Sequence, residues 1–83
     1  MSRVYKIPLL LTPQAGGGFT ITSPVIPELV TEADSLAEVT ENVKDALLAV
    51  HEIYEESGRE FPANLLQDTD QAPVCFELLL PAA

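Results

Sequence analysis

The residues of this chain that could do chemistry are few and scattered. His51-Glu52-Ile53-Tyr54-Glu55 has the outline of a zinc-protease helix in which Glu stands for the second histidine. Zinc needs several convergent ligands, and His51 is the one histidine of the chain, so the spacing predicts a histidine on a helix flank, paired with Glu55 one turn on. Gly16-Gly17-Gly18 invites a phosphate-loop reading. The run lacks the Lys-Ser/Thr ending and opens a strand instead of a helix, so it reads as turn chemistry. Cys75, the single cysteine, has no identifiable base or orienting group, and between Val74 and Phe76 it reads as a small apolar filler of a strand. No catalytic, cofactor-binding or metal-ligating residue is expected, and the chain reads as a non-enzyme.

Charge is more informative. Thirteen acidic residues face four basic ones, Arg3, Lys6, Lys44 and Arg59, for a net charge of −9. Phosphate recognition needs clustered Lys and Arg, so direct nucleic-acid binding by this chain alone is not expected. Acidity by itself keeps a small protein in solution; it also suits docking of a strongly basic partner. A lone cysteine fits a reducing cytoplasm. With no apolar run near roughly 18 residues and no secretory pattern at the start, neither a membrane span nor export is expected.

Those side chains must be positioned by one helix. From Asp34 to Gly58 there is no proline or glycine until the last residue, enough for about six turns. Ser35 as N-cap with Glu38 three positions on predicts a capping box, Asp34 adds charge at the positive end of the dipole, and Gly58 is placed to close the helix. Leu36, Val39, Val43, Ala46, Leu47, Val50, Ile53 and Tyr54 recur at spacings of three and four as an apolar stripe, with Glu38, Glu41, Asp45, Glu52 and Glu56 opposite. Around the helix, residues 4 to 11 predict a strand that Pro8 pushes to an edge or bulge, and Phe19-Thr20-Ile21-Thr22 a half-buried strand joined to it by a hairpin. Ser23 to Pro27 is a rigid bend, Glu28 to Ala33 a third strand, and Val74 to Leu80 a fourth, stopped by Pro81. The order is β-β-β-α-β, an α+β fold in one domain over 1–83, with an antiparallel sheet and one helix on one face. Apolar residues occupy both faces of the last strand apart from Glu77, so a homodimer or larger assembly is expected to cover it.

Three stretches carry a family resemblance across Tyr5 to Pro62. Gly17-Gly18-Phe19 resembles a Gly-Gly-Tyr entering the second strand. Pro24-Val25-Ile26-Pro27, then Thr31 and Asp34-Ser35-Leu36-Ala37-Glu38, resembles Pro-Asp-Leu-Pro-Gly-Cys followed by Thr-x-Gly-Asp-Thr-x-Glu-Glu. Glu41-Asn42, Ala46-Leu47 and Phe61-Pro62 fit the helix signature and the Ile-Pro beyond it. Together they resemble the HicB family of antitoxins, whose N-terminal domain has this element order and a reduced ribonuclease-H-like fold. Val25, Glu28 and Ala33 depart from the family's Asp and two glycines, so the bend after Pro27 is expected to differ.

The resemblance implies a type II toxin-antitoxin protein that binds HicA, a small basic mRNA-cleaving ribonuclease, and occludes it. Operator binding is not carried over, because the sequence offers no ribbon-helix-helix or helix-turn-helix module after the last predicted strand. Ten of the thirteen acids lie between Glu28 and Glu60, which agrees in sign with a basic partner. Glu28, Glu32, Glu41 and Asp45 are the candidate contacts, with Leu48 as an apolar anchor because it lies off the core stripe. A stand-alone oligomeric scaffold of the same fold is the alternative. A residual two-metal nuclease is a third, disfavoured because the acids sit mainly in the third strand and on the outer helix face, with none on the first strand.

Overall fold

A computed structural model describes residues 3–82. Pro8 has the effect expected of a residue that cannot donate to a ladder: the first strand is broken around it into β1 (Arg3–Tyr5) and β2 (Leu10–Pro13). β2 joins β3 (Phe19–Thr22), and β3 joins β4 (Val30–Ala33), in a three-stranded antiparallel sheet of order β2-β3-β4. The register places Leu11, Ile21 and Thr31 in one row and Pro13, Phe19 and Ala33 in another. Alternation along β3 sends Ile21 fully inward and leaves Thr20 and Thr22 on the far side. The hairpin turn is held by the Gly17 N–H donating to the Gln14 carbonyl at 3.1 Å and the Gln14 N–H to the Gly18 carbonyl at 3.0 Å.

The helix α1 (Val39–Glu56) is preceded by a 3-10 turn over Leu36–Glu38. Its entry differs in detail from the capping box read from sequence. Glu38 Oε2 accepts the Asp34 N–H at 3.0 Å, whereas Ser35 Oγ makes no cap bond to the backbone and approaches Glu38 Oε2 at 3.5 Å. Glu38→Ala is therefore expected to cost about 1 kcal/mol and Ser35→Ala only a few tenths, an order that urea denaturation of the two variants would check. The exit is as expected: Gly58 has φ +70, the Gly58 N–H donates to the Glu55 carbonyl at 3.2 Å and the Arg59 N–H to the Tyr54 carbonyl at 2.9 Å. That pair of bonds is a Schellman closure.

Val43, Val50 and Tyr54 face the sheet and bury against Ile21, Ile26, Leu29, Ala33 and Leu65. Leu36, Val39, Ala46 and Leu47 are half-buried, whereas Ile53 is 44% exposed. At 100° per residue Ile53 lies about 80° from the axis of the buried stripe, on its margin. The fourth strand is displaced from its expected place. The strand that pairs with β1 is β5 (Leu66–Asp68), with Arg3 opposite Asp68 and Tyr5 opposite Leu66. Val74 to Leu80 carries no ladder, and Cys75 is exposed instead of filling a core. The α+β class, the antiparallel pairing and the one α-helix stand; the order is β-β-β-β-α-β, with the last strand at Leu66–Asp68, and the sheet is divided into β1-β5 and β2-β3-β4.

Candidate partner-binding surface

Taking the axis of Val43, Val50 and Tyr54 as the inward direction of α1, Glu41, Asp45, Leu48 and Glu52 fall roughly opposite, at spacings of four, three and four. All four are exposed, Leu48 by 64%. They form a straight line of three carboxylates around one large apolar side chain. Leu48 is solvated because its angle on the helix keeps it away from every element beneath. Glu52 belongs to this line as fully as Asp45, and counting turns from Leu48 finds it in the sequence.

Glu28 and Glu32 do not join that line. Glu32 sits on β4, where its Oε1 accepts from Gln14 Nε2 at 3.2 Å, and its backbone carbonyl accepts from Asn42 Nδ2 at 2.8 Å. The Asn42 bond ties β4 to the start of α1, beside Glu41. Glu28 stands at the other end of the helix and is engaged within the chain. Arg59 Nη1 donates to its Oε2 at 2.8 Å, Tyr54 Oη donates to its Oε1 at 2.8 Å, and the Arg59 guanidinium lies 4.3 Å from the centre of the Tyr54 ring. The three residues are separated by 26 and 31 positions, so no local spacing announces them.

The Arg59 guanidinium, and after it the Tyr54 hydroxyl, hold the Glu28 carboxyl below the ordinary value of 4.5. Glu28 in turn, followed by burial, raises Tyr54 above its ordinary 10.0. A carboxylate with a depressed folded-state pKa contributes stability above the unfolded value and loses it as pH falls through the folded one. The Tyr54 contribution is present below the unfolded value of 10.0 and is lost as pH rises through the folded value. Glu28→Gln is therefore expected to narrow its deficit in melting temperature against wild type as pH falls below 4.5. Melting curves of both proteins from about pH 7 to about pH 3 would check it.

His51 does not pair with Glu55 among the described residues. Its ring stacks on Phe61 at 4.1 Å between centroids and 19° between planes, with Tyr5 at 5.0 Å from Phe61. Among the described residues, no three His, Cys, Asp or Glu side chains converge as a metal site would require. No described helix is long and apolar enough to cross a membrane.

No family model matches the chain. Over 57 residues, 69% of the chain, it is 37% identical to a protein named Antitoxin HicB from Escherichia coli strain K12, and 35% identical over 57 residues to Antitoxin HicB 1 from Photorhabdus laumondii. The chain belongs to the HicB family. The similarity spans 41% of the first HicB relative and 37% of the second, so the chain corresponds to less than half of either. A HicB-family origin agrees with the motifs around Gly17-Gly18-Phe19 and Pro24 to Glu38, and the mixed α+β architecture is consistent with a small HicB-like fold.

Proposed function

We propose that this chain acts as an antitoxin domain that binds a basic ribonuclease of the HicA type and occludes its RNA-binding face. The single observation that carries this reading is the line Glu41-Asp45-Leu48-Glu52 on the solvent side of α1, in a chain whose relatives are named antitoxins. Carboxylates at helical spacing present a field that attracts a cationic surface and competes for the contacts that phosphates would make. Leu48 supplies the apolar centre that such an interface needs, since charges at a rim govern encounter more than residence. Glu32, held beside the first turn of α1, extends the acidic surface at that end. Glu28 contributes at the other end as half of an ion pair with Arg59, so changing it perturbs the fold as well as the charge.

Co-expression with a neighbouring reading frame that encodes a small basic protein tests the reading, scored by co-purification and rescue of growth. Glu41→Lys with Asp45→Lys is expected to slow association by roughly tenfold at low salt and to flatten its salt dependence. Leu48→Asp is expected to shorten the lifetime of the complex by a similar factor. Because the three positions are exposed, circular dichroism of the free variants should match wild type. No complex and no rescue, or a complex indifferent to all three changes, would overturn the reading.

A further inference from the structure

We propose that the groove between β2 and the first half of α1 receives the Val74–Leu80 segment of a second copy, so that two chains associate by reciprocal exchange of this segment. The groove has a volume of about 1030 Å³, with Leu9 and Leu11 on one side and Leu36, Val39, Val43 and Leu47 on another. Among the described residues β2 is bonded to β3 alone, so its other edge has backbone groups free to pair. The segment from Val74 to Leu80 is longer than β2 (Leu10–Pro13), so paired as a strand it can span that whole edge.

The chain's own segment does not fill the groove. Cys75 to Leu79 lines it from the far side, while Phe76, Leu78, Leu79 and Leu80 remain 80%, 65%, 63% and 71% exposed. Four large apolar side chains at those exposures supply roughly half or more of the ~800 Å² per partner that a stable dimer buries, and the groove walls they would meet supply the rest.

Charge selects the occupant. In a chain of net charge −9, two of the four basic residues, Lys6 and Lys44, line this groove. A cationic partner would meet like charge there. The Val74–Leu80 segment carries apolar residues and one ionisable carboxylate, Glu77, which the two lysines complement. This assembly is independent of the ribonuclease reading, since the carboxylate line of α1 lies outside the groove.

Sedimentation equilibrium of the full chain tests it. Wild type is expected to dimerise at micromolar concentration. Glu77→Lys alone, and Lys6→Glu with Lys44→Glu alone, should each weaken the dimer by at least roughly tenfold, while circular dichroism stays that of wild type. Mixing the two variants in equal amounts should restore the dimer, because every groove then meets a segment of opposite charge; seating of a segment in its own groove would give no such rescue. Reactivity of Cys75 toward a thiol reagent should fall as wild type is concentrated. A wild type that stays monomeric, variants that dimerise as well as wild type, a mixture that gains nothing, or a groove occupied only after a basic protein is added would each overturn the proposal.

Discussion

Gly18→Ala is expected to lower the melting temperature by roughly 15 °C, the equivalent of about 2–3 kcal/mol in a domain of this size. Gly18 has φ +78, and a Cβ placed on it would lie 2.7 Å from the Ala33 carbonyl oxygen and 3.2 Å from the Asp34 Cα. Both neighbours are backbone at the end of β4, where the chain turns toward the helix, so neither can rotate aside. A methyl group there would force β3 and β4 apart at the point where Phe19 pairs with Ala33. Gly17→Ala is the control, since its φ is +100 but nothing lies within 4 Å of the added carbon. It should cost about 1 kcal/mol from conformation alone. Equal losses in the two variants would show that the close approach of β4 has no energetic weight.

Leu29→Ala is expected to cost about 3 kcal/mol, and Val30→Ala, one position on, within about 0.5 kcal/mol. Leu29 is fully buried among Ile21, Ile26 and the helix residues, whereas Val30 is 60% exposed on the far side of the sheet. Truncating Leu29 removes buried methyl groups and leaves a cavity beneath α1. With a stability on the order of 5–10 kcal/mol for a chain this short, that loss leaves a thin margin. Urea midpoints measure it, and a comparable loss at Val30 would mean that β4 presents the opposite face to the core.

The parts of the fold that were legible in the sequence are those set by neighbours along the chain. Three- and four-residue spacing placed Val43, Val50 and Tyr54 inward and Glu41, Asp45 and Glu52 outward, and alternation did the same for Phe19-Thr20-Ile21-Thr22. Gly58 was legible as a helix stop because a left-handed closing residue is a local requirement. What depends on competition between distant segments was not legible. Val74 to Leu80 has the composition of a strand, yet the segment that pairs with β1 is Leu66 to Asp68. His51 has a helical neighbour of opposite charge in Glu55, but the ring of Phe61, ten positions away, takes its face. At the candidate surface, Glu41, Asp45 and Leu48 shared a helix face that counting could find, while the engagement of Glu28 by Tyr54 and Arg59 crosses from one end of the chain's middle to the other and leaves no periodic trace.

The few positive charges are unevenly spread, and that gives the molecule an electrical polarity. Arg59 is bound to Glu28, and Lys6 and Lys44 flank the groove by β2, so little offsets the carboxylates along the crest of the helix. A body of opposite sign drifting toward this protein would exert a torque on it before touching it. The acidic crest would turn to face the visitor and the lysine flank would turn away, so rotational searching is shortened and first encounters are biased to one side.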